Sequence, residues 1–152
     1  MKNVGIALAT FFGVGNLPVA PGTWASLLTA LIVFFTPLSA LPFMSLALIT
    51  AAVYAIGIPA AGICERHYQK HDPRQCVIDE VAGQLVSLWF LPRQAGFYLA
   101  AFLLFRVFDI LKPFPVNKRE ALPGGIGIMT DDMLAGFYTL AVLQGMRYFF
   151  FS

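Results

Sequence analysis

Residues Asn3 to Cys64, NVGIALATFFGVGNLPVAPGTWASLLTALIVFFTPLSALPFMSLALITAAVYAIGIPAAGIC, contain no Lys, Arg, Asp or Glu. Spanning a bilayer takes about 20 predominantly apolar residues, so this one run can cross a membrane and return. Inside it, Trp24 to Phe35 reads as a short helix, Pro37 to Pro42 as a turn, and Phe43 to Cys64 as a second helix with a kink expected at Gly57 and Pro59. The remainder of the 152-residue chain has the same character: 59% of residues are hydrophobic, 12% are charged, and mean hydropathy is +0.75. Soluble domains carry about 25% charged residues, so the charge here cannot cover a water-exposed surface. The length fits a single domain over residues 1–152. The expected fold is all-α, a compact multi-pass membrane bundle of about four to five helices with charged cytoplasmic loops. The alternation of a β-barrel is absent from the sequence.

Charge is gathered into islands. Seven charged residues lie between Glu65 and Glu80, six between Arg106 and Glu120, and the pair Asp131 and Asp132 stands alone. The apolar stretches between them are Val81 to Leu91, Gln94 to Leu111 after the Pro92-Arg93 turn, and Met133 to Phe151; no stretch repeats another. Val81 to Leu91 covers only about 16 Å, so its helix is expected to start near Cys76 or to fail to cross. Alternating through five crossings places the N-terminus and all three islands on one side, leaving Arg93 and Arg147 opposite. The positive-inside rule makes the charge-rich side cytoplasmic, with Tyr148 to Phe151 as an aromatic belt in the other interface. A net charge of +2 without a basic run excludes nucleic acid as a partner. Cys64 and Cys76 have no metal or redox spacing and read as reduced, structural thiols.

Five carboxylates stand at the ends of apolar helices: Asp79 and Glu80 entering one, Asp109 leaving another, Asp131 and Asp132 entering the last. Acidic oxygen clusters without a paired His or Cys suit a hard cation such as Mg²⁺, shared with a substrate phosphate, and zinc is disfavoured. An acid at a helix N-terminus also complements the macrodipole, but Asp109 comes late in its helix, where that term is unfavourable. Arg106, Asp109 and Lys112 step by three along one helical edge as plus, minus, plus. This edge is either a structural ion pair or a carboxylate for a cation flanked by groups for phosphate oxygens. Two glycine-rich segments, Gly13 to Thr23 and Gly124 to Met129, each feed a helix start, where backbone N–H groups can approach an anion; both also serve as ordinary turns.

Four blocks give these residues a family likeness: Gly13 to Ser26 (GVGNLPVAPGTWAS), Asp79 to Gly83 (DEVAG), Phe105 to Val116 (FRVFDILKPFPV) and Gly124 to Gly136 (GGIGIMTDDMLAG). In order and spacing the chain resembles phosphatidylglycerophosphatase A, a small lipid phosphatase of the bacterial inner membrane. The resemblance implies Mg²⁺-dependent hydrolysis of phosphatidylglycerophosphate to phosphatidylglycerol and phosphate. Asp79, Glu80, Asp109, Asp131 and Asp132 are then the catalytic and metal-holding residues. Arg106 and Lys112 bind the phosphate oxygens, with Thr23, Gly22, Gly125 and Gly127 supplying the loops around it. His71 and Asp72 lie between the blocks, and His71 serves equally as an ordinary loop residue. Lys2 and the apolar stretch Val4 to Phe12 imitate a signal peptide, but cleavage near Ala20 would cut the first block apart.

Other phosphatase chemistries lack their residues. Neither cysteine precedes an arginine loop, no Asp-x-Asp pair exists, and His67 and His71 share one short stretch. The CDP-alcohol phosphotransferases need further aspartates where Leu140 and Gln144 stand. Two alternatives stay open: a non-enzymatic ion-binding or transport module with acids lining a path, and a phosphatase for another lipid such as an isoprenoid diphosphate. The sequence leaves the oligomeric state undetermined.

Overall fold

The computed structural model describes residues 2–111 and 124–151. Among them are six α-helices and no strand: α1 Lys2–Ala9, α2 Pro21–Phe35, α3 Phe43–Tyr68, α4 Ile78–Ser87, α5 Ala95–Leu111 and α6 Gly125–Phe151. This is the multi-pass helical bundle the composition implies. Helices α3 and α6 are each long and apolar enough to cross a membrane, and α2 is a shorter apolar helix.

At the centre lies α4. Every residue in it is buried except Glu80, which is half-buried. Small residues let the neighbours close in. A Cβ on Gly83 would strike the Asp132 carbonyl and the Phe105 ring, and one on Gly136 would strike the Gly83 carbonyl. The contacts advance in step along both helices, from Gly83 beside Asp132 to Gln144 Nε2 on the Trp89 carbonyl (3.2 Å) and Arg147 Nη1 on the Phe90 carbonyl (2.7 Å). Hence α4 and α6 run parallel and in near backbone contact.

Boundaries move at four places. The first membrane helix starts at Pro21 rather than Trp24, with proline at a helix start where its missing N–H costs nothing. The second runs on to Tyr68, four residues past Cys64, and stays helical through Pro59. Helix α4 begins at Ile78; the segment before it, expected to be helical from Cys76, is tied by Val77 N–H to the Ala9 carbonyl (2.8 Å). Helix α6 begins at Gly125 rather than Met133, so the second glycine-rich segment is its first turns and not a loop. Close packing explains this: Gly125 lies against the Ile58 carbonyl of α3, where a Cβ could not fit, and such tertiary contact overrides the low helix propensity of glycine.

At ten residues, α4 is about 15 Å long and short of a bilayer core. Turns at Leu88, Trp89 and Leu91 carry it on to Phe90, level with Arg147. The short helix therefore reaches the far end inside a sheath of protein. That end is aromatic: Phe43 stacks on Phe90 (4.1 Å) and meets Trp89 edge-on, and Arg93 lies over the Phe34 ring (5.6 Å). Arg93 and Arg147 thus share one end, and the Asp79 to Asp132 region marks the other. Tyr148 and Phe149 of the expected aromatic belt are exposed, while the side chains of Phe150 and Phe151 lie outside the described set.

Candidate active site

The parallel pair α4 and α6 builds the site. Asp79 and Glu80 occupy the first turn of α4, and Asp131 and Asp132 the second turn of α6, one turn before the glycine crossing. A short pattern recurs here, Asp-x-x-Ala-Gly at Asp79 to Gly83 and again at Asp132 to Gly136. Two parallel helices crossing at matching glycines bring the matching acids together. One carboxylate oxygen each from Asp79, Glu80 and Asp132 falls within 4.8 Å of the others. Asp79 Oδ1, Glu80 Oε2 and Asp132 Oδ2 are buried and accept no hydrogen bond.

Helix α5 supplies the next wall. Arg106 Nη1 meets Asp109 Oδ2 at 2.6 Å, the ion pair that their spacing predicts. Helix α2 contributes Gly22, whose missing Cβ leaves room for the Glu80 carboxylate. The walls enclose a cavity of about 490 Å³ lined by all five expected carboxylates and by Arg106, Gly22 and Gly127. Thr23 and Gly125 do not line it, and Lys112 lies outside the described residues.

Sequence reasoning passed over Lys70 and Arg74, which also line the cavity, and put His71 and Asp72 in doubt, which do too. All four are exposed residues on the loop between α3 and α4. His71 Nδ1 lies 2.6 Å from Glu65 Oε1. The signal was the first charge island itself, which runs without a break into Asp79. Its acids drew attention and its cations did not.

All these acids gather at one end of the bundle, not at mid-span as a transport path would require. Fold and site together define a membrane protein whose carboxylate and guanidinium centre is of the kind that handles phosphate esters. The comparisons with known proteins agree. Residues 7–147 match the family described as Phosphatidylglycerophosphatase A, and the chain belongs to that family. A Haemophilus influenzae phosphatidylglycerophosphatase A is 38% identical, covering 93% of this chain and 87% of its own length. The Escherichia coli protein of the same name is 34% identical over 94% and 83%. A Bacteroides thetaiotaomicron protein, provisionally named phosphatidylinositol-3-phosphatase, is 39% identical over 94% and 93%. No solved structure matches the chain.

Proposed function

We propose that this protein, a phosphoric monoester hydrolase by family, removes the terminal phosphate of phosphatidylglycerophosphate at the cytoplasmic face of a bacterial inner membrane. The observation that carries this reading is the convergence of Asp79, Glu80 and Asp132, with buried unpaired oxygens, beside Arg106 in one cavity. The charge balance of that cavity demands cations. Asp72, Asp79, Glu80, Asp109, Asp131 and Asp132 contribute six negative charges against three positive from Lys70, Arg74 and Arg106, a formal sum of −3. A dianionic phosphate monoester would be repelled from such a site; one divalent ion brings the sum to −1 and a second to +1.

The donor set fits Mg²⁺, a hard cation that prefers carboxylate oxygen. Asp79, Glu80 and Asp132 would hold it, with Asp109 and Asp131 lining the same cavity. Bound there, Mg²⁺ would neutralise charge on the phosphate and favour attack by water. The Arg106 fork binds two non-bridging oxygens, and Asp109 holds that fork in place through their ion pair. Lys112 adds a point charge, and Lys70 and Arg74 attract the anionic headgroup from the rim. Gly22 admits Glu80, and Gly127 exposes backbone to the cavity.

The names of the relatives share a phosphomonoester on the polyol headgroup of a phospholipid, and differ in the polyol. The test is phosphate release by purified protein from lipid monophosphates and diphosphates, with a divalent chelator and after Mg²⁺ is restored. Release from phosphatidylglycerophosphate that stops with chelator and returns with Mg²⁺ is expected. Full turnover in metal-free buffer would overturn the metal assignment, and preference for an inositol phosphate or a diphosphate would overturn the substrate.

A further inference from the structure

Helices α2 and α5 run antiparallel beside the site, and each carries one stripe from end to end. On α5, Ala95, Leu99, Phe102, Arg106 and Asp109 follow one another by four and three residues, which keeps them on one helix face. On α2 and the residue before it, Ala20, Trp24, Leu27, Leu31 and Phe34 do the same. The lower ends of both stripes, Ala20 with Arg106 and Asp109, line the catalytic cavity. The upper ends, Leu27, Leu31 and Phe34 facing Ala95, Leu99 and Phe102, line a separate groove of about 200 Å³ with no charged side chain. Leu31 and Leu99 are 40% and 58% exposed, so the groove opens sideways to the bilayer.

From this continuity we infer that the α2–α5 groove binds an acyl chain of the lipid whose phosphate occupies the cavity. The inference rests on the phosphatase reading. Length supports it: Arg106 to Ala95 is eleven residues, about 16 Å of helix, and one leaflet of hydrocarbon is about 15 Å deep. A headgroup held at Arg106 therefore hangs its chain along the stripe to the groove. Trp24, 47% exposed, stands on the α2 stripe between cavity and groove, where its amphipathic ring suits the ester level of the lipid.

The test fills the groove from each helix separately, with Leu31→Trp and Leu99→Trp. Leu48→Trp, on the outward face of α3 at 64% exposure, is the control for adding a tryptophan to a lipid-facing surface. Each purified variant is given two lipid phosphates with one headgroup, a long-chain and a six-carbon-chain form, in detergent micelles. Both groove variants should lose at least about fivefold in kcat/KM on the long-chain lipid, through KM, and keep the short-chain rate, while the control keeps both. Wild-type behaviour of the groove variants on both lipids would mean that only bulk lipid fills the groove, and would overturn the inference. Equal loss on both lipids would overturn it too. If a tryptophan variant does not fold, Leu31→Phe and Leu99→Phe carry the same comparison. Failure of the wild type on both lipids would instead bring down the phosphatase reading, and this inference with it.

Discussion

Single residues set how close the charges stand. Asp79 and Asp132 come from different helices, and each leaves one buried oxygen without a hydrogen-bond donor. That arrangement is costly unless a cation fills it. Asp79→Asn and Asp132→Asn keep shape and remove charge, so each should lose at least about 100-fold in kcat/KM while melting at or above the wild-type temperature. A wild-type rate in either variant, read by phosphate release, would remove that residue from the metal site. Arg106→Lys keeps the positive charge and loses the planar fork, and should cost at least about tenfold in kcat/KM, about 1.4 kcal/mol. If Arg106 serves only as the partner of Asp109, lysine preserves the pair and the rate stays near wild type. Gly22→Ala places a methyl where the Glu80 carboxylate stands. That acid ends a flexible side chain and can move, so the fold should survive while turnover falls.

Between elements, the decisive contact is the α4–α6 crossing. At Gly83 the obstacle to a Cβ is the Asp132 carbonyl, which cannot move without moving the helix that carries the acids. Gly83→Ala should therefore destabilise by about 1–3 kcal/mol and lower activity together. Gly145 lies further along α6 with open space around its Cβ, and Gly145→Ala should be neutral or stabilising by up to about 1 kcal/mol. Thermal melting with phosphate release on the same preparations separates the two. The same crossing explains what the sequence made legible. Apolar runs and charge islands disclosed helices α2 to α6, their order and five of the six acids in the cavity, Asp72 excepted, because those are properties of single segments. That Gly124 to Met129 would be helical, and that ten residues would suffice for α4, depended on partners: the Ile58 carbonyl against Gly125, and the protein enclosing α4 on all sides. The parallel direction of α4 and α6 was written in the repeated Asp-x-x-Ala-Gly, whose meaning needs both copies side by side.

For the whole molecule, the two ends differ in kind. Lys70, Arg74 and Arg106 stand with the acids, whereas Arg93 and Arg147 stand among Phe34, Phe90 and Tyr148 at the other end. Five helices link these ends in alternation, α2 outward, α3 back, α4 outward, α5 back and α6 outward. More Lys and Arg stand at the acidic end than at the other, and by the positive-inside rule we propose that this end faces the cytoplasm. Both native cysteines are free and buried, so they give little background to an impermeant thiol reagent. In intact cells a cysteine replacing Arg93 should then be labelled, and one replacing Asp72 should be labelled only after the membrane is opened. Arg93 and Asp72 are both exposed in the fold, so accessibility differs through the membrane alone. Labelling at Asp72 in intact cells would turn the molecule over and put the site on the outer face. Protection at Arg93 would mean that α4 enters and leaves by the same face. That second result would contradict the level pairing of Phe90 with Arg147, and a cysteine at Arg147 would decide it, because α6 reaches the far side by its own length.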